Sequence, residues 1–232
     1  MNVFINQVYE MVMRFFYTLV LCLTLVGCGD IPSSYIPWGE IDLKDEAGPF
    51  SDNKMDGFQG NFEQCKAALT KADIQFTPVE DKTNQACPLT EQITLNKSLY
   101  PYSAPVTGQC SIIAALVNWE RAVVQKQALK IFGTDVKRIT HYGMYSCRNV
   151  RGSSRRSEHS TANAIDIAAF VLKDGTTISV LNDWDDRGKK GQFLRAVFKG
   201  GCKVFVGALG PNYNKDHANH FHFDMGTWNM CD

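Results

Sequence analysis

The sequence is short of net charge, of histidine and of long apolar runs, and each shortage excludes something. Across 232 residues 24 basic side chains balance 24 acidic ones, and no basic stripe is visible. Nucleic acid, which demands a positive footprint, is therefore not an expected partner. The apolar run from Phe15 to Val26 is too short for an ordinary membrane span of about 20 residues. No two cysteines form a CxxC pair, which disfavours a cysteine zinc site or thioredoxin-like redox chemistry. No repeat is visible in residues 29–60.

What the amino terminus does contain is an export pattern. Arg14 precedes the apolar run, which closes on Leu25-Val26-Gly27-Cys28. This resembles a bacterial lipoprotein signal over residues 1–28; the alternative is a plain secretory signal cut nearby. Cleavage before Cys28 would leave that cysteine lipidated and the mature chain tethered to a membrane. Residues 1–10 carry no Lys or Arg, so Met11 and Met13 are candidate starts. Gly29 after the cysteine, where inner-membrane lipoproteins carry Asp, implies the periplasmic face of the outer membrane in a Gram-negative cell.

Without the signal roughly 200 residues remain, enough for one sizeable core. Residues 29–60, rich in Gly, Pro, Ser and Asp, read as a flexible tether, leaving 61–232 as the folded domain. Six cysteines lie beyond the signal: Cys65, Cys87, Cys110, Cys147, Cys202 and Cys231. An even number in an exported chain implies up to three disulfides in fifteen possible arrangements, and Cys65 with Cys87 would close a local loop.

Local patterns predict an α+β domain with a small antiparallel sheet packed by helices. Asn61–Ala72 reads as a short helix and Phe76–Val79 as an edge strand, since Pro78 is excluded from a central ladder. Ile112, Leu116, Trp119 and Val123 recur at helical spacing within Ser111–Leu129, with Ser111 as a cap and Trp119 as packing. Val136–Tyr142 and Ile165–Leu172 read as strands. Lys173-Asp174-Gly175-Thr176 is a hairpin turn, and Thr177–Leu181 the return strand. Asn182–Asp186 reads as a solvated acidic loop, Gln192–Lys199 as a helix and Val204–Val206 as a buried strand.

Two stretches carry chemistry. Three of the five histidines fall in Asp216-His217-Ala218-Asn219-His220-Phe221-His222-Phe223-Asp224. Strand alternation points His220 and His222 to one face and Phe221 and Phe223 to the other. By itself that pair reads equally as two solvated imidazoles. The counterweight is Ser157-Glu158-His159-Ser160-Thr161-Ala162-Asn163-Ala164-Ile165-Asp166. His159, Asp166 and His222 supply the three protein ligands of a catalytic zinc site, which keeps a fourth position open. Seven residues rise about 10 Å along a helix and about 23 Å along a strand. The chain must therefore turn back between His159 and Asp166, and the small Ala162 and Ala164 permit it.

Tyr145-Ser146-Cys147-Arg148, then SEHSTANAIDI, then HANHFHFD, resembles the extensin-like C-terminal domain family over roughly residues 60–232. SxHxxAxAxD followed by HxxHxH is also similar to the zinc D-Ala-D-Ala carboxypeptidase and murein endopeptidase superfamily, whose core is shared with the hedgehog domain. Ala162 stands where those peptidases usually carry glycine. The resemblance implies one zinc ion on His159, Asp166 and His222, with His220 beside the reaction centre and a cell-wall peptide as substrate. It implies that Arg148 anchors substrate; a surface arginine paired with a local acid is the other reading. His217 and Asp216 are expected behind the ligands, orienting them or His220; Asp224 continues the alternation toward the site, but reads first as a strand-end residue.

Overall fold

The computed structural model describes residues 31–232, so the expected signal over 1–28 and the expected lipid-bearing Cys28 lie outside the described residues. Two sheets organise Pro32–Asp232. The smaller is antiparallel, in the order β1 (Gln75–Pro78), β2 (Gln92–Lys97), β3 (Val106–Gln109). Pro78 lies on its edge strand, where a missing N–H costs no ladder bond. The larger runs β4 (Val136–His141), β5 (Ala164–Leu172), β8 (Phe221–Asp224), β7 (Gly207–Leu209), β9 (Met230–Cys231), and β6 (Thr177–Ser179) pairs β5. Its pairings are antiparallel except β7 with β9.

The longest helical stretch starts as α3 (Cys110–Trp119), passes through a π-helical turn at Glu120–Gln125 and ends as α4 (Lys126–Phe132). All ten residues of α3 are buried, as expected of a helix that is apolar all round. Ser111 is not its cap. The helix begins one residue earlier, directly from β3, and the free N–H groups of Gln109 and Cys110 are taken by the carbonyls of Ala162 and Glu91. Trp119 sits at the centre of the core and donates its indole N–H to the Val197 carbonyl of helix α6 (Lys189–Gly201) at 3.0 Å.

Residues 32–60 are packed rather than extended as a tether. Ile41, Leu43, Met55 and Phe58 are buried, helix α1 spans Ser51–Asp56, and Asn118 of α3 donates to the carbonyls of Leu43 and Asp45. Scattered apolar side chains find the core despite a loop-like composition. Helix α2 (Phe62–Lys71) follows as expected. The return strand after the Gly175 turn is shorter than predicted, because the chain enters helix α5 (Val180–Asp183). Trp184 is then buried against Phe198 and Phe221, so this is not simply a solvated acidic loop. Val204 and Phe205 are buried as predicted, but the strand itself starts later, at Gly207.

The disulfides are Cys65–Cys110, Cys87–Cys147 and Cys202–Cys231. The local Cys65–Cys87 loop does not form. Cys65 faces inward from α2 and meets the start of α3, leaving Cys87 to reach across to Cys147. No helix among the described residues is long and apolar enough to cross a membrane.

Candidate metal centre

The histidine strand behaves as its alternation requires. Phe221 and Phe223 are fully buried, and Phe223 stacks on Phe205 with ring centroids 4.5 Å apart and meets Trp119 at 5.4 Å. Burying such a side chain contributes about 1.5–3 kcal/mol, so slipping the strand by one residue is strongly disfavoured. The opposite face carries His222 into a cleft of about 840 Å³.

The register of β5 and β8 sets Asp166 directly opposite His222. Two of the three candidate ligands are thus a cross-strand pair on one face. The third, His159, comes from a 3-10 turn at Glu158–Thr161, capped by the Ser157 hydroxyl. Ala162 ends that turn in the left-handed region at φ 54°, where glycine is the unstrained choice. This reversal solves the spacing problem between His159 and Asp166.

His159 Nε2, Asp166 Oδ1 and His222 Nδ1 lie 3.1 Å from one another in each pairing. Ligands about 2.0–2.1 Å from a tetrahedral ion are separated by about 3.3 Å, so the cluster has the size of such a site. The remaining ring nitrogens decide the chemistry. His159 Nδ1 faces the Met144 carbonyl at 2.9 Å, and His222 Nε2 faces Asp224 Oδ2 at 3.0 Å. Both partners are acceptors, so both nitrogens must carry hydrogen. In neutral imidazoles the inward nitrogens are then bare. Two lone pairs and a carboxylate oxygen converge with no donor among them, an arrangement that needs a cation or an added proton. This donor set fits a zinc ion: imidazole and carboxylate ligands, with backbone and carboxylate partners orienting the imidazoles from behind.

The electrostatics agree. Burial pushes the Asp166 carboxyl up, but hydrogen bonds and charge from His159 and His222 outweigh it, leaving the group well below the usual carboxylate range. Burial pushes the His222 imidazole down, and Asp166 and Asp224 more than reverse this, raising it to about 9. The raised His222 and the lowered Asp166 both express the same demand for a positive charge at the centre of the cluster.

His220 lies just before β8, its Nε2 3.4 Å from Asp166 Oδ1 and its Nδ1 2.8 Å from Asn219 Oδ1. Burial, opposed by Asp166 and reinforced by charge on His222, His159 and Arg148, holds its pKa below the ordinary value. If Nδ1 donates to Asn219, Nε2 turns its lone pair toward the cluster. Burial and neighbouring His222 and His220 lower His217 to about 4; its ring stands 5.3 Å from His220 and 5.8 Å from His222. Asp216 orients neither His220 nor a ligand. It sits in a 3-10 turn at Lys215–His217, and its Oδ1 accepts from Arg151 at 2.7 Å. Arg148 lines the cleft and is exposed, with no carboxylate in ion-pair contact among the described residues.

Two further groups belong to the site. Asp224 is the last residue of β8, as expected, and its strand alternation also turns it to His222. Glu158 lines the cleft beside Asp224, accepts from Asn163 Nδ2 at 3.2 Å, and is pushed up mainly by burial. Tyr142 lies edge-on to His220 at 5.8 Å.

A mixed α/β fold, three disulfides and a His/Asp/His cluster on the cleft face of the larger sheet define a disulfide-bonded domain with a candidate metal centre. The chain belongs to the family described as extensin-like protein C-terminus, whose model matches residues 63–232. Comparison with curated proteins and with solved structures finds no match to either.

Proposed function

We propose that this chain is an envelope-anchored, zinc-dependent hydrolase that cleaves a peptide bond in peptidoglycan cross-links, akin to the zinc D-Ala-D-Ala carboxypeptidases, murein endopeptidases and the hedgehog core. The reading rests on one observation above all, the convergence of two bare imidazole nitrogens and a carboxylate oxygen at 3.1 Å in an open cleft. His159, Asp166 and His222 would hold the ion. Zinc, when bound, supplies Lewis acidity that polarises a carbonyl and lowers the pKa of water to about 7. His220, with Nε2 3.4 Å from Asp166 Oδ1, would accept a proton and later return it. Arg148 offers a guanidinium fork to a carboxylate or carbonyl of the substrate. In this proposal Cys28 carries the lipid, and the domain acts from the periplasmic face of the outer membrane.

The purified protein, prepared without added metal, is expected to hold one zinc per chain, which His222→Ala loses. It should release product from muropeptides in a metal-dependent way, and His220→Ala should retain zinc while losing turnover. Zinc absent from wild type, with no uptake on addition, would sink the proposal.

A second reading is a zinc-stabilised binding module for peptidoglycan or a protein partner, without turnover. The commitment of Asp216 to Arg151 favours it, because no acid of the histidine loop then supports His220. Binding that survives His220→Ala, with no product from any muropeptide, would select this reading.

A further inference from the structure

The segment entering the first ligand forms a small hairpin on the cleft rim. Asn149 bridges Arg156, and the Val150 N–H donates to the Arg155 carbonyl at 2.9 Å. Its base is fastened by the Cys87–Cys147 disulfide and by Ser157 N–H to the Arg148 carbonyl. The stretch Arg148–Arg156 carries four arginines and no acid. Three of them, Arg148, Arg151 and Arg155, line the cleft.

These three guanidiniums are in different states. Arg151 is spent on Asp216, an exposed ion pair that braces the hairpin against the histidine loop. Arg148 lines the cleft, where its charge bears on His220. Arg155 is held over the Trp228 ring, 4.6 Å from its centroid, with no ion pair to a carboxylate among the described residues. A guanidinium that lies flat on an indole keeps its in-plane N–H donors free. The other charges facing this region are Glu158, which feels Arg155 from a distance, and Asp224, which is engaged by His222. A guanidinium held against an indole on the wall of the cleft can offer a fork of donors, which suits a planar carboxylate.

Resting on the hydrolase reading above, we infer that Arg155, positioned by Trp228, is a specificity-determining contact for a free carboxylate on the substrate peptide, away from the bond that reacts. Arg151 braces the hairpin that carries it. The cleft then reads the substrate at two places, the cluster at its floor and the Arg155–Trp228 pair at its rim.

The experiment uses two matched cell-wall peptides, one with a free side-chain carboxylate and one with that group amidated. Turnover and calorimetric binding are measured for wild type, Arg155→Gln, Arg155→Lys and Trp228→Ala, with thermal melting to check folding. Wild type is expected to prefer the free acid by about tenfold or more, the range of a charge-assisted hydrogen bond. Arg155→Gln should bring the ratio close to one, and Arg155→Lys should restore part of it. Trp228→Ala should lower the ratio although the guanidinium remains. An acid preference in binding that Arg155→Gln abolishes, with no turnover of either peptide, would leave the contact standing and sink the hydrolase. Turnover with the same ratio in wild type and Arg155→Gln would overturn the contact and leave the hydrolase standing. Failure to bind either peptide would overturn the inference as well.

Discussion

His222 and Asp224 stand two residues apart on one face of β8, and the imidazole Nε2–H donates to the Asp224 carboxylate at 3.0 Å. This bond fixes the tautomer that bares Nδ1 toward Asp166 and His159. Asp224→Asn is expected to weaken zinc affinity about 10–100-fold, measured by competition with a chromophoric chelator. Gly207→Ala should act from behind, because its Cβ would lie 2.2 Å from Asp224 Oδ2 and displace it. Wild-type affinity in both variants would remove Asp224 from the site.

Zinc binding should displace a proton. With its pKa raised to about 9, metal-free His222 carries at neutral pH the hydrogen that a cation would replace. Calorimetry in two buffers of different ionisation heat should report about one proton released per zinc near pH 7. The same shift makes a stability statement. A raised histidine contributes fully below its ordinary value of 6.5, and the contribution is lost as pH rises through about 9. Metal-free protein should accordingly melt earlier at pH 10 than at pH 6, and His222→Ala should flatten that window.

Glu120 gives a second window of the same sign at lower pH. It is fully buried in the π-helical turn, and burial raises it to about 7 despite hydrogen bonds from Tyr102, Ser98 and the Leu99 N–H. An acid that binds its proton more tightly when folded loses stability as pH rises from its ordinary value of 4.5 to about 7. The loss is on the order of 3 kcal/mol. Glu120→Gln costs stability at pH 4, where Leu99 loses its acceptor, but its melting temperature should fall less than wild type's between pH 4.5 and 7. Parallel curves would refute the assignment.

The Cys87–Cys147 bond joins residues 60 apart in sequence and fastens the segment that enters the arginine hairpin. Replacing both cysteines by alanine is expected to cost about 2–4 kcal/mol in denaturant unfolding, largely through the unfolded chain. Zinc affinity should change little, because His159 is held separately by Ser157 and the Met144 carbonyl. A large loss of zinc in that variant would show that the disulfide shapes the centre itself.

Local chemistry made much of this protein legible in its sequence. The alternation of His220, Phe221, His222 and Phe223 determined which side chains enter the core and which enter the cleft, because strand periodicity leaves no other arrangement once two phenylalanines must be buried. The apolar run around Trp119 determined a core helix. The spacing of His159 and Asp166 determined that the chain reverses between them. The tertiary structure decided what depends on which distant segments meet. Sheet register set Asp166 opposite His222, and packing of α2 on α3 chose Cys65–Cys110 over the shorter loop to Cys87. Buried apolar residues drew 32–60 onto the core. The partners of the outward ring nitrogens decided that the inward ones are bare. Asp216 and Asp224 exchanged the importance their positions suggested, since a carboxylate's role follows from the donor it meets in space: Arg151 for one, His222 for the other.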